Sequence, residues 1–127
     1  MASGQPSSQV SRGKSAEKLV EYLLLAKGWQ LLRANYRFPG GEIDRIFIDP
    51  EANVLVFVEV KLRKSHSQFP VEMCLTPKQL MRIRKGMEYY IADNQYDGDC
   101  RLDFVSIEVV PEEIVITLHE NWVFFTD

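Results

Sequence analysis

No stretch of this 127-residue chain approaches the ~20 consecutive apolar positions that a membrane-spanning helix requires. The opening residues, MASGQPSSQVSRGKS, also lack the apolar centre of a secretory signal, so the expected compartment is the cytoplasm. Cysteine is scarce. Cys74 and Cys100 are too few for a disulfide framework and too far apart for the close pairs of a zinc site, and both are expected as thiols in packing or surface positions. Internal repeats are absent, and beyond residues 1–12 so is low-complexity sequence. Those first twelve residues, rich in Ser, Gln and Gly, have little to bury and are expected as a mobile arm ahead of one domain over 13–127.

A large net charge is also lacking: the sum is −3. Binding depends on where charge sits, however, and its distribution is uneven. Residues 1–37 hold six Lys/Arg against two Glu, and residues 38–60 hold one against five acids. Residues 61–85 hold seven against one, and residues 86–127 hold one against ten. Two basic blocks thus flank an acidic one. Such a layout suits carboxylates that hold a metal beside cations that hold phosphates, although blocks of this size also occur as solvated faces.

The periodicity predicts helix, three strands, helix, two strands, an α/β domain with a mixed sheet of about five strands flanked by helices. SAEKLVEYLLLAKG, from Ser15, places Leu19, Leu23 and Ala26 on one helical face, with Gly28 at the stop. WQLLRANYRF, EIDRIFID and VLVFVEVKL are strands, divided by the turn signals FPGG and DPEAN; the second turn makes a hairpin of residues 42–49 and 54–62. Thr76, Pro77 and Gln79 form a capping-box signature before a helix whose inward stripe is Leu80, Ile83, Met87 and Ile91. Two more strands, RLDFVSIEVV and EIVITLHE, follow YDGD.

Strand alternation puts Val54, Val56, Val58, Val60 and Leu62 on one face and Leu55, Phe57, Glu59, Lys61 and Arg63 on the other. Glu59 and Lys61, roughly 6.5–7 Å apart, can address one bound group, and the hairpin register would bring Asp44 beside Glu59. Two strand carboxylates with water and a substrate phosphate suffice for Mg²⁺ or Mn²⁺. Taken alone, an E-x-K tripeptide is better explained by the solvated end of a strand, with Asp44 as a weak cross-strand partner.

GEID at 41–44 and VFVEVK at 56–61, with Ala16-Glu17 in the helix before them and Thr-Pro-Lys-Gln after, together resemble the bacterial UPF0102 (YraN-type) family. That family is in turn similar to archaeal Holliday junction resolvases of the PD-(D/E)xK, restriction-endonuclease-like fold. The resemblance spans about Gly13 to His119. It implies that Asp44 and Glu59 bind metal, that Glu17 is an additional acid brought to that metal, and that Lys61 is the catalytic lysine. Arg63, Lys78 and Gln79 stand where it implies phosphate or scaffold contacts, and Arg37, Lys64 and Arg82 complete the expected nucleic-acid contacts. Arg45 departs from the pattern, which has an apolar residue after GEID, and SHSQFP replaces a loop that commonly carries glycine. His66 in that loop is expected to be solvated, His119 has no assigned chemistry, and Trp29, Tyr36 and Trp122 are expected in the core rather than stacked on bases.

The implied function is Mg²⁺- or Mn²⁺-dependent hydrolysis of phosphodiester bonds, with branched DNA as an expected substrate and a homodimer as an expected assembly. Two other functions fit the same residues: a module that grips nucleic acid on a nuclease scaffold without cutting it, and a protein-interaction domain using the acidic carboxyl-terminal third.

Overall fold

The structure, a computed structural model, describes residues 8–64 and 70–121. Helix α1 (Ser8–Ala26) leads into three consecutive strands, β1 (Gln30–Phe38), β2 (Gly41–Asp49) and β3 (Val54–Lys64). A short 3-10 turn (Val71–Met73) precedes α2 (Pro77–Asp93), and β4 (Asp99–Val110) and β5 (Glu113–His119) complete the sheet. The five strands lie side by side in chain order, antiparallel except for the parallel pair β3–β4. A parallel neighbour cannot be reached by a tight turn, so α2 lies within the crossover between them. The expected mixed α/β architecture is the one found. No helix among the described residues is long and apolar enough to cross a membrane.

Turn chemistry places the strands as expected. Pro39-Gly40 joins β1 to β2, with Gly40 at φ 108°, where a side chain would strain the backbone. Asp49 Oδ1 accepts hydrogen bonds from the Glu51 and Ala52 amides at 3.1 and 3.3 Å, closing the turn that sets the β2–β3 register. At the end of α1, Gly28 has φ 97° and the Trp29 amide donates to the Leu24 carbonyl at 3.2 Å, a Schellman-type stop. Thr76 and Gln79 form the capping box in both directions at the start of α2.

Strand alternation divides the core between the two faces. Leu55 and Phe57 join Ile43, Ile46, Phe104 and the α2 residues Ile83, Met87 and Tyr90. Val56 and Val58 join Phe47, Trp29 and the α1 residues Ala16, Val20 and Leu24. Trp29 and Tyr36 are buried as expected, whereas Trp122 and His66 lie outside the described residues. Cys74 and Cys100 are free thiols, half-buried and exposed.

Two expectations about α1 need correction. The helix begins at Ser8 rather than Ser15, so residues 8–12 belong to it. Once the packed turns from Ala16 onward exist, extending a helix backward requires only propagation, with no new nucleation. The inward face is Ala16, Val20 and Leu24, while Leu23 and Ala26 are exposed. Three consecutive leucines made the stripe ambiguous, and a buried charge decided it: Glu17 and Glu21, one turn apart, both turn toward Arg45 of β2.

Candidate metal and phosphate site

The β2–β3 ladder runs from Asp49–Val54 up to Arg45–Val58. One residue further, where Asp44 would face Glu59, side chains replace backbone pairing. The Asp44 amide donates to Glu59 Oε1 at 3.2 Å, and the Val60 amide donates to Asp44 Oδ2 at 2.8 Å. Each carboxylate is thus fixed by the main chain of the opposite strand, which holds the two acids together at the hairpin's open end. Each also keeps a second oxygen beyond these bonds.

Burial makes this arrangement electrostatically unfavourable for two anions. Glu59 is buried, and that burial, reinforced by the nearby Asp44 charge, pushes its carboxyl up to about 8. Asp44 is also raised, first by burial, against the lowering effect of the Val60 amide and Lys61. Lys61 offsets part of the charge on both acids. Glu17 is raised too, by burial and then by Asp44, with Arg45 pulling the other way.

A pocket opens over these groups, lined by Glu17, Glu42, Asp44, Glu59 and Lys61, with Arg37 and Arg82 at its rim. The structure therefore brings together all four residues expected to act on the phosphodiester, and two of the six expected to contact nucleic acid. Arg37 donates to Glu42 at 3.1 Å, an exposed pair that leaves it beside the pocket. Arg82 reaches the pocket because Gly41 gives it room: a Cβ there would lie 2.7 Å from Arg82 Cδ.

Three of the other four do not line the pocket. Arg63 continues the Glu59–Lys61 face of β3 but does not line the pocket, and Lys78 is exposed in the first turn of α2. Gln79 uses its side-chain carbonyl to cap α2, accepting from the Thr76 amide at 2.9 Å, so its role there is to start the helix. The Lys64 side chain lies outside what is described. His119 meets Ser106 Oγ through Nε2 at 3.2 Å and stacks on Phe104.

Sequence reasoning missed Arg45 and Glu21. Arg45 is buried, with Nε donating to Glu21 Oε1 at 2.8 Å and Nη1 donating to Glu17 Oε1 at 3.3 Å. The available signal was an acid pair at helical spacing, Glu17 and Glu21, together with a lone arginine in an apolar strand.

Among the described residues, no three carboxylate, histidine or cysteine groups converge as a ready-made metal cage. Mg²⁺ does not need one, since it commonly keeps several waters and takes one or two carboxylates. Asp44 and Glu59 fit that demand: they are hard oxygen donors, adjacent and locked in place, and burial disfavours their charged forms unless a cation balances them.

These features define a class: a small mixed-sheet α/β domain with two carboxylates and a lysine gathered at the end of a hairpin. The chain belongs to the UPF0102 family, described as an uncharacterised protein family, whose profile matches residues 16–107. Relatives include a UPF0102 protein of Shewanella woodyi, 34% identical over 76% of this chain and 80% of that protein. Another, from Shewanella frigidimarina, is 35% identical over 79% and 91% of the two chains. A third, from Carboxydothermus hydrogenoformans, is 33% identical over 86% and 92%.

Proposed function

We propose that this protein is a divalent-metal-dependent nuclease of the PD-(D/E)xK type that hydrolyses phosphodiester bonds in nucleic acid, DNA foremost, in the cytoplasm. The observation that carries this reading is the reciprocal lock between Asp44 and Glu59. A buried and a half-buried carboxylate held side by side in an open pocket are an unfavourable arrangement for stability alone, and a bound cation gives them a purpose. Mg²⁺ or Mn²⁺, held by Asp44 and Glu59 with water, would polarise the scissile phosphate and ease deprotonation of the attacking water.

The chain's own residues supply the rest. Lys61, a compact cation beside both acids, is available to hydrogen-bond the phosphate as negative charge builds on its oxygens. Arg82 and Arg37, at the rim, offer guanidinium groups to neighbouring phosphates, and Glu17 lines the same pocket. A branched substrate with two equivalent strands would suit a two-fold dimer, in which each protomer presents one such pocket.

Incubation of the purified protein with Mg²⁺ or Mn²⁺ and linear, nicked and four-way DNA tests the reading. Cleavage that disappears in Asp44→Ala is expected; no cleavage of any substrate, or equal cleavage by the variant, would sink it. Salt-sensitive DNA binding without metal uptake would instead identify a non-cutting module on the same scaffold. Light scattering across micromolar concentrations addresses the dimer, which a monomer throughout would eliminate.

A further inference from the structure

Arg45 follows Asp44 directly in β2 and turns toward α1. Its side chain is only 5% exposed, and its guanidinium bonds across the seam between β2 and α1. Nε donates to Glu21 Oε1 at 2.8 Å, while Nη1 donates to Glu17 Oε1 at 3.3 Å and to the Asp44 carbonyl at 2.8 Å. One buried cation thus ties the first helix to the main chain of the residue whose carboxylate anchors the pocket.

Glu17 is claimed from two sides. It lines the acidic pocket, yet one of its oxygens is held by Arg45. A divalent ion that drew Glu17 into its coordination sphere would have to compete with a guanidinium already in place. The same guanidinium, fixed beside Asp44, would repel that ion. Both effects oppose Glu17 as a ligand, and as placed no third acid converges with Asp44 and Glu59 among the described residues.

We infer that Arg45 is a positioning residue that keeps Glu17 out of the cation site, so that a divalent ion is held by Asp44, Glu59 and water while Glu17 serves as Arg45's counter-charge. This rests on the pocket's being a cation site, as proposed above, and it removes Glu17 from the ligand set that family resemblance implies. An apolar residue at position 45, the pattern from which this chain departs, would free Glu17 to join the ion. The arginine therefore lowers the site's affinity for the cation it is built to hold.

Mn²⁺ uptake by the full chain, followed by electron paramagnetic resonance, tests this with four proteins: the native chain, Glu17→Gln, Arg45→Met and the double variant. The native chain and Glu17→Gln are expected to bind alike. Arg45→Met should bind roughly tenfold more tightly, and the double variant should lose that gain. A purely structural arginine would not make affinity depend on Glu17 only when it is removed. Should Arg45→Met fail to fold, Arg45→Met with Glu21→Met removes both charges from the seam and takes its place in the comparison.

Weakening by Glu17→Gln in the native background to the extent seen for Asp44→Asn overturns the inference, as does an Arg45→Met protein with unchanged affinity. Uptake that requires Asp44 but is indifferent to Arg45 overturns it alone. Absence of Mn²⁺ uptake by every variant overturns it together with the cation-site reading.

Discussion

Glu59 gives the clearest consequence at the scale of a single residue. In the unfolded chain its carboxyl releases its proton near the ordinary glutamate value of 4.5; in the folded protein, burial and the Asp44 charge hold the proton until about 8. Between these values the folded state binds more protons than the unfolded, so stability falls as pH rises. The contribution is complete below about 4.5 and lost once pH passes about 8. In chelator, urea unfolding should therefore show lower stability at alkaline than at mildly acidic pH, by on the order of a few kcal/mol. Glu59→Gln should remove most of that slope, and an unchanged slope would show that Glu59 titrates normally. The residue itself was legible in sequence because a carboxylate on the Leu55–Phe57 face of so apolar a strand stands out. Its partner contacts were not, because main-chain amides leave no mark on residue identity. Arg45 was visible only as a departure from a pattern, and the two glutamates it gathers come from an element 20 or more residues earlier, beyond the reach of local spacing.

At the scale of elements, α2 was read well because its signals are local. Thr76, Pro77 and Gln79 announce its start, and Ile83 and Met87 form part of its buried stripe, with Leu80 and Ile91 packed at the margin. Helix α1 was read less well: its leucines satisfy more than one face, and only the seam with Arg45 selects Ala16, Val20 and Leu24. Gly86 shows what close packing of α2 on the sheet demands. A Cβ there would lie 2.4 Å from Phe38 Cε1, and Phe38 is buried and stacked against both Tyr36 and Tyr89. Alanine in a helix is favoured over glycine by up to about 1 kcal/mol, whereas overpacking a fixed ring costs about 1–3 kcal/mol. Overpacking wins, and Gly86→Ala should lower the melting temperature. A rise would mean that Phe38 yields easily and that the α2–β1 contact is loose.

The whole molecule places its charge dilemma at one end of a hairpin and leaves it open to solution, which links stability to bound cations. Millimolar Mg²⁺ or Mn²⁺ should raise the melting temperature of the native chain at pH 8, by an amount that grows with the logarithm of concentration, and should leave Asp44→Asn unmoved. Equal shifts in both proteins would point to general ionic screening. The β2–β3 hairpin was legible because its turn is marked in the sequence; the full strand order was not, because the parallel β3–β4 pairing joins segments far apart in the chain. That seam also shapes how the chain must emerge during synthesis. Strands β1, β2 and β3 can zip together as they leave the ribosome, but Val54–Lys64, the most apolar of them, finds its other neighbour only when Asp99–Val110 arrives. At translation speeds of about 5–20 residues per second, its outer edge stays bare for seconds. During that wait α2 can shelter Leu55 and Phe57 from one side, while the backbone groups along the rim remain open to any stray strand.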